Sequence, residues 1–129
     1  MKILDVGGGF HKYQGSQSID ANPVSKPDIL HNLNLCPWPI KDSEYDMIYT
    51  SHVLEHLDDP RKAVEEIWRV GKPGACVIIR VPHFSSRLAW TGIDHKRAFS
   101  INMLRTFTPA YDGLLPPVRV RFEVEKIKL

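Results

Sequence analysis

Residues 45–81 read YDMIYTSHVLEHLDDPRKAVEEIWRVGKPGACVIIRV, and this stretch decides the fold. Tyr45–Thr50 is a short, largely apolar run that reads as a strand. Asp59 is a good helix N-cap, and Pro60 suits the first helical turn. Behind them Ala63, Val64, Ile67, Trp68 and Val70 fall on one apolar stripe, which predicts an amphipathic helix with Trp68 in the core. Glu65 and Arg69 have the i, i+4 spacing of a side-chain ion pair. Gly71 occupies the position just past the helix end. Lys72-Pro73-Gly74 has the residue order of a type II turn. Cys76–Val81 then reads as a β-branched strand whose opening cysteine behaves as a small buried hydrophobe. Strand, helix, strand at this spacing is a βαβ unit, and a βαβ unit implies a parallel sheet.

The same alternation continues outward. Lys2–Val6 is a short apolar run that stops at Gly7, Gly8 and Gly9, as a buried strand would. Gln17–Asp20 is a second strand, closed by Asn22-Pro23, and Asp28–Leu33 a third. Toward the other end, Ser100–Phe107 predicts a helix capped by Ser100. Residues 119–129 alternate apolar and charged side chains and predict a half-exposed strand near a sheet edge. The expected fold is a doubly wound α/β domain over residues 1–129, with a mostly parallel sheet of about six strands.

Bulk properties narrow the function. The chain has 129 residues, 43% hydrophobic and 25% charged, with a formal charge of +2. That is one ordinary globular domain. So small a positive excess, without a basic run, argues against a dedicated nucleic-acid binder. The apolar runs are far short of a membrane span. Cys36 and Cys76 form no CxxC pair, and no secretory signal is present, so a reducing, cytoplasmic setting is expected.

The first chemical feature is Asp5-Val6-Gly7-Gly8-Gly9 at a strand end, where open parallel sheets bind ligands. A nicotinamide dinucleotide site would want G-x-G-x-x-G and a helix to greet the pyrophosphate. Lys12 stands at the third glycine position, and residues 10–17 are short, polar and interrupted by Gly15. S-adenosylmethionine makes other demands. It has no phosphate, two cationic groups and a ribose diol, so carboxylates suit it better than a helix N-terminus. Asp5 stands where it could face the ammonium end. Asp20 ends the second strand, where a carboxylate can accept both ribose hydroxyls.

ILDVGGG, SIDANP, YDMIYTSHVLEHL and RVGKPGACVIIRVP together resemble the successive motifs of class I S-adenosylmethionine-dependent methyltransferases, in the small-molecule branch with an abridged first crossover. The resemblance covers residues 2–84. It implies that Asp5, Gly7, Gly8 and Gly9 line the methionine moiety of S-adenosyl-L-methionine. It places Asp20 on the ribose, Ala21 and Asn22 beside the adenine, and Asn32 and Leu33 flanking the adenine amino group. Ser51 and His52 would close the site. The family usually pairs a further antiparallel strand with the one expected at 119–129, and the chain is expected to lack it. The resemblance thus implies a donor-binding core at 1–82 and an acceptor-side segment with an edge strand at 83–129. It implies methyl transfer to a small molecule. The alternative is a non-catalytic donor- or product-binding module acting with a partner, since an exposed sheet edge favours pairing, including a homodimer.

His52-Val53-Leu54-Glu55-His56 spells H-x-x-E-H, a zinc-protease signature. It follows a strand inside a βαβ unit, with no obvious third acidic ligand downstream, so no metal is expected. Glu55 and His56 read instead as organisers of the strand-to-helix turn or as ligand contacts. His83, His95 and Arg97 are the catalytic candidates. Arg97 could hold an acceptor's carboxylate or phosphate, and a histidine could take a proton. Trp38, between two prolines, reads as a loop anchor under the donor site, and Trp90 as a packing residue.

Overall fold

In a computed structural model of the chain, residues 1–109 and 120–129 are described. Five strands form one sheet: β1 (Ile3–Val6), β2 (Gln17–Asp20), β3 (Ile29–Leu30), β4 (Tyr45–Ser51) and β5 (Gly71–Arg80). Their order is β3-β2-β1-β4-β5, and every neighbouring pair is parallel. The chain builds outward from β1 to β3, then crosses to the other side of β1. This reversal opens a crevice beyond the carboxyl ends of β1, β2 and β4, where doubly wound sheets take ligands.

One helix, α1 (Pro60–Val70), joins β4 to β5. The Asp59 side chain caps it by accepting from the amides of Arg61 and Lys62, and Pro60 opens its first turn. Ala63, Val64, Ile67 and Val70 share one core with Leu4, Val6 and Ile48 of the sheet. Full burial of such a side chain contributes roughly 1.5–3 kcal/mol, so this layer holds β1, β4 and α1 in fixed relation. The β1–β2 crossover carries no helix. Among the described residues beyond β5 are two short helices, α2 (Leu88–Thr91) and α3 (Ile101–Arg105), the latter capped by Ser100 as its sequence predicts.

Several local expectations need correcting. The third strand is only two residues long. Asp28 leaves the ladder because its carboxylate accepts from the Ser18 amide and hydroxyl. Residues 120–129 form no strand, and Arg119 lies outside the described residues. The backbone there serves other partners: the Phe122 amide donates to Phe107 O, and Arg121 O accepts from the Trp68 indole. Trp68 is therefore half-exposed rather than core. Arg69 turns away from Glu65 to Glu66 and Asp42. Gly71 has φ −75°, not the left-handed cap. It is tightly packed instead, since a Cβ would lie 3.3 Å from Ile48 Cδ1 and Ile67 O. Cys76 is exposed, because β5 pairs only with β4 among the described residues, and both cysteines are free. Trp90 is exposed, its indole donating to Phe84 O.

Candidate functional site

The glycine loop is built for close approach. Gly7 and Gly9 have φ +73° and +52°, the left-handed region that costs other residues strain. A Cβ on Gly7 would overlap Val53, and one on Gly8 would lie 2.8 Å from Asp5 Oδ2. The loop is tied down at both ends. Gly7 N donates to Ile19 O at 2.8 Å, and Asp5 Oδ2 accepts from the Tyr13 amide at 2.6 Å. Asp5 is almost completely buried. That burial pushes its carboxyl above the usual range, against the pull of the Tyr13 amide, with Asp20 adding to the rise.

Two clefts flank this loop and share Gly7. The first, of about 260 Å³, is lined by Asp5, Gly7, Gly8 and Ser51, with Phe10, His11 and Tyr49. The second, of about 300 Å³, is lined by Gly7, Asp20, Ala21, Asn32, Leu33 and His52, with Asn34, Val53, His56 and Leu57. Gly9 and Asn22 line neither cleft but are both hydrogen-bonded to Asp20. Its Oδ2 accepts from Gly9 N at 2.9 Å and its Oδ1 from Asn22 N at 2.8 Å. Each oxygen retains acceptor capacity beyond these bonds.

The walls are held from behind. Trp38 is buried, and its indole donates to Leu33 O at 3.2 Å, so it anchors the far wall of the second cleft as its setting between two prolines suggests. Glu66 in turn accepts from the Trp38 amide at 2.6 Å. Burial would raise the Glu66 carboxyl, but the Arg69 guanidinium and the Trp38 amide hold it below its ordinary value. His52 stands at φ +56° directly after β4, its amide donating to Arg80 O. A non-glycine residue in this conformation stores strain, which gathers at working sites.

The candidates beyond β5 line neither cleft. His83 Nδ1 lies 2.7 Å from Ser85 Oγ. Arg97 is turned inward, donating to the carbonyls of Leu54, Leu57 and Asp58, and clamps the turn after β4. His95 packs edge-on against His56 at 4.8 Å between ring centres. Sequence reasoning raised His56 as a ligand contact but missed Phe10, His11, Asn34, Tyr49, Val53 and Leu57 as cleft residues.

A family model described as a methyltransferase domain matches residues 11–79. Norajmaline N-methyltransferase of Rauvolfia serpentina is 38% identical over 52 residues, which are 40% of this chain and 17% of that protein. A protein of Mycolicibacterium smegmatis named "Probable S-adenosylmethionine-dependent methyltransferase/" is 36% identical over 56 residues, 43% of this chain and 21% of that one. The chain thus covers about a fifth of these relatives. Among solved structures, an S-adenosylmethionine-dependent methyltransferase from Archaeoglobus fulgidus superposes with a TM-score of 0.69 at 19% identity, over 81% of this chain and 57% of that one. A methyltransferase solved with the Trm112 activator of Haloferax volcanii gives 0.61 at 20% identity, over 81% and 57%. At such identities these two likenesses establish the fold.

Proposed function

The chain belongs to the methyltransferase domain family, and from that premise we propose that it binds S-adenosyl-L-methionine across the glycine loop and methylates a small-molecule acceptor. One observation carries the reading: Gly7 lines both clefts, joining one that holds Asp5 to one that holds Asp20. Their combined size lies in the range of ligand pockets, about 300–1,000 Å³.

The residues present suit the donor. Asp20 keeps free lone pairs for two ribose hydroxyls. Asn32 and Leu33, backed by Trp38, offer a wall for a base. Asp5 places a carboxylate beneath the loop for the cationic methionine end. The donor, when bound, supplies an activated methyl group on sulfur. The chain's part is then to bind, orient and exclude water, since alignment itself supplies much of the acceleration of such a displacement. Residues 1–82 serve the donor, and residues 83–129 shape the acceptor side. Two free thiols suit a reducing, cytoplasmic setting.

Calorimetry with S-adenosylmethionine, its demethylated product and NAD tests the reading. Binding of the first two alone, weakened about 100-fold or more in Asp20→Ala, is expected; binding of neither sinks it. An acceptor screen scored by demethylated product then tests transfer.

A second reading has its own support. The outer edge of β5 pairs with nothing among the described residues. An open edge invites another chain, and one fold neighbour was solved with an activator protein. A donor-binding module completed by a partner, or a homodimer through this edge, follows. Light scattering on the purified chain separates monomer from dimer.

A further inference from the structure

Directly after β4 the chain buries a carboxylate without a hydrogen bond. Glu55 is fully buried, and neither of its carboxylate oxygens accepts a hydrogen bond among the described residues. Burying such a group is costly unless cations or donors compensate. What surrounds it is imidazole. His52 Nδ1 lies 3.3 Å and His56 Nε2 3.9 Å from Glu55 Oε1. One ligand atom each from Glu55, His56 and His95 falls within 4.8 Å of the others.

The imidazoles are oriented as metal ligands are. His56 Nδ1 lies 3.1 Å from Asp94 Oδ2, and His95 Nδ1 lies 3.2 Å from Ala89 O. Carboxylate and carbonyl oxygens only accept, so a neutral ring in either place carries its proton on Nδ1 and keeps its Nε2 lone pair free. A carboxylate or carbonyl behind each imidazole is the usual outer support of a metal-binding histidine. Gly92 makes room for the arrangement, because a Cβ there would lie 2.8 Å from His95 Nε2. The segment bearing His95 is also docked rigidly. Lys96 N donates to Glu55 O at 2.8 Å, and the Arg97 guanidinium clamps the same turn.

We propose that Glu55, His56 and His95 bind a divalent first-row cation of the zinc type, contrary to the metal-free expectation from sequence. Two neutral imidazoles and one carboxylate are the donor set such ions prefer. His56 also lines the second cleft, so the ion would stand at that cleft's wall with a coordination position left for an oxygen or nitrogen ligand. The purely structural rival is a network of histidines and acids that fixes the turn without an ion.

The test is calorimetric titration of zinc into the chelator-treated chain. One equivalent per chain is expected, with affinity reduced about 100-fold or more in His95→Ala, His56→Ala and Glu55→Gln. His31→Ala, outside the cluster, should bind as the parent does. Near-UV circular dichroism checks each variant's fold, and His95→Ala carries the test where Glu55→Gln fails to fold. No stoichiometric uptake by the parent chain overturns the proposal, as does parent-like affinity in His95→Ala. Titrating S-adenosylmethionine with and without chelator keeps this outcome separate from donor binding.

Discussion

Asp20 Oδ2 accepts a hydrogen bond from Gly9 N at 2.9 Å, so the acid that ends β2 and the loop that ends β1 are one mechanical unit. Asp20 therefore does two things: it shapes the loop and presents its remaining lone pairs to the cleft. Asp20→Ala should weaken S-adenosylmethionine binding by about 100-fold or more, given about 1.5–3 kcal/mol for each of two hydrogen bonds to a charged group. It should also lower stability by about 1–2 kcal/mol through the freed Gly9 and Asn22 amides. Asp20→Asn keeps one good acceptor and should fall between. Calorimetry and thermal melts read the two effects separately.

Gly7 and Gly9 share a left-handed backbone but differ in surroundings. A Cβ on Gly7 overlaps Val53, whereas nothing lies within 4 Å of one on Gly9. Gly9→Ala should cost about 1–2 kcal/mol, the price of the backbone conformation alone. Gly7→Ala should cost that and about 1–3 kcal/mol more for overpacking, and should distort both clefts. Equal melting shifts for the two variants would refute the steric account.

The βαβ unit at 45–81 was legible because local and tertiary signals agree there. Asp59 caps, Pro60 opens, and Ala63, Val64, Ile67 and Val70 face one way. The glycine loop and Asp20 were legible because strand ends in a parallel sheet face the crevice. Three kinds of feature were not. Trp68 sits on the apolar stripe, yet residues 120–129 draw its indole to Arg121 O, a contact 53 residues away in sequence. Arg97 carries a charge that suggests an acceptor, yet three carbonyls of the turn after β4 take it up. The convergence of His95 on Glu55 and His56 needs the docking of a distant loop, which no spacing within H-x-x-E-H reveals.

Arg97 supports a prediction that separates clamp from acceptor contact. Arg97→Ala removes the donors to the carbonyls of Leu54, Leu57 and Asp58; Asp58 is exposed and Leu54 O still accepts from Leu57 N, so the cost of about 1–3 kcal/mol is that of the buried Leu57 carbonyl left unsatisfied. The melting temperature should therefore drop. In an assay with a working acceptor, the Michaelis constant for that acceptor should change less than threefold below the new melting range. A large rise in that constant with unchanged stability would restore Arg97 as an acceptor contact.

The support behind Trp38 should be acid-labile in a defined window. The Glu66 carboxyl is held below its ordinary value of 4.5: burial opposes ionisation, but the Arg69 guanidinium and the Trp38 amide outweigh it. A carboxyl depressed in the folded state adds stability that is fully present above the unfolded value. That stability is lost as pH falls through the folded value. Glu66→Gln should therefore be less stable than the parent near neutrality, by about 1–3 kcal/mol for a charged hydrogen-bonded group. The gap should close as pH drops below 4.5 and reach its minimum once the parent's carboxyl is protonated. Asp28, Glu44 and Asp46 are also depressed and will tilt both stability curves, so the difference between the curves isolates Glu66. Urea unfolding of both proteins across pH 3–7 makes the measurement. A gap that widens toward acid would mean that Glu66 strains the fold rather than supporting it, and that Trp38 keeps the Leu33 wall in place without its help.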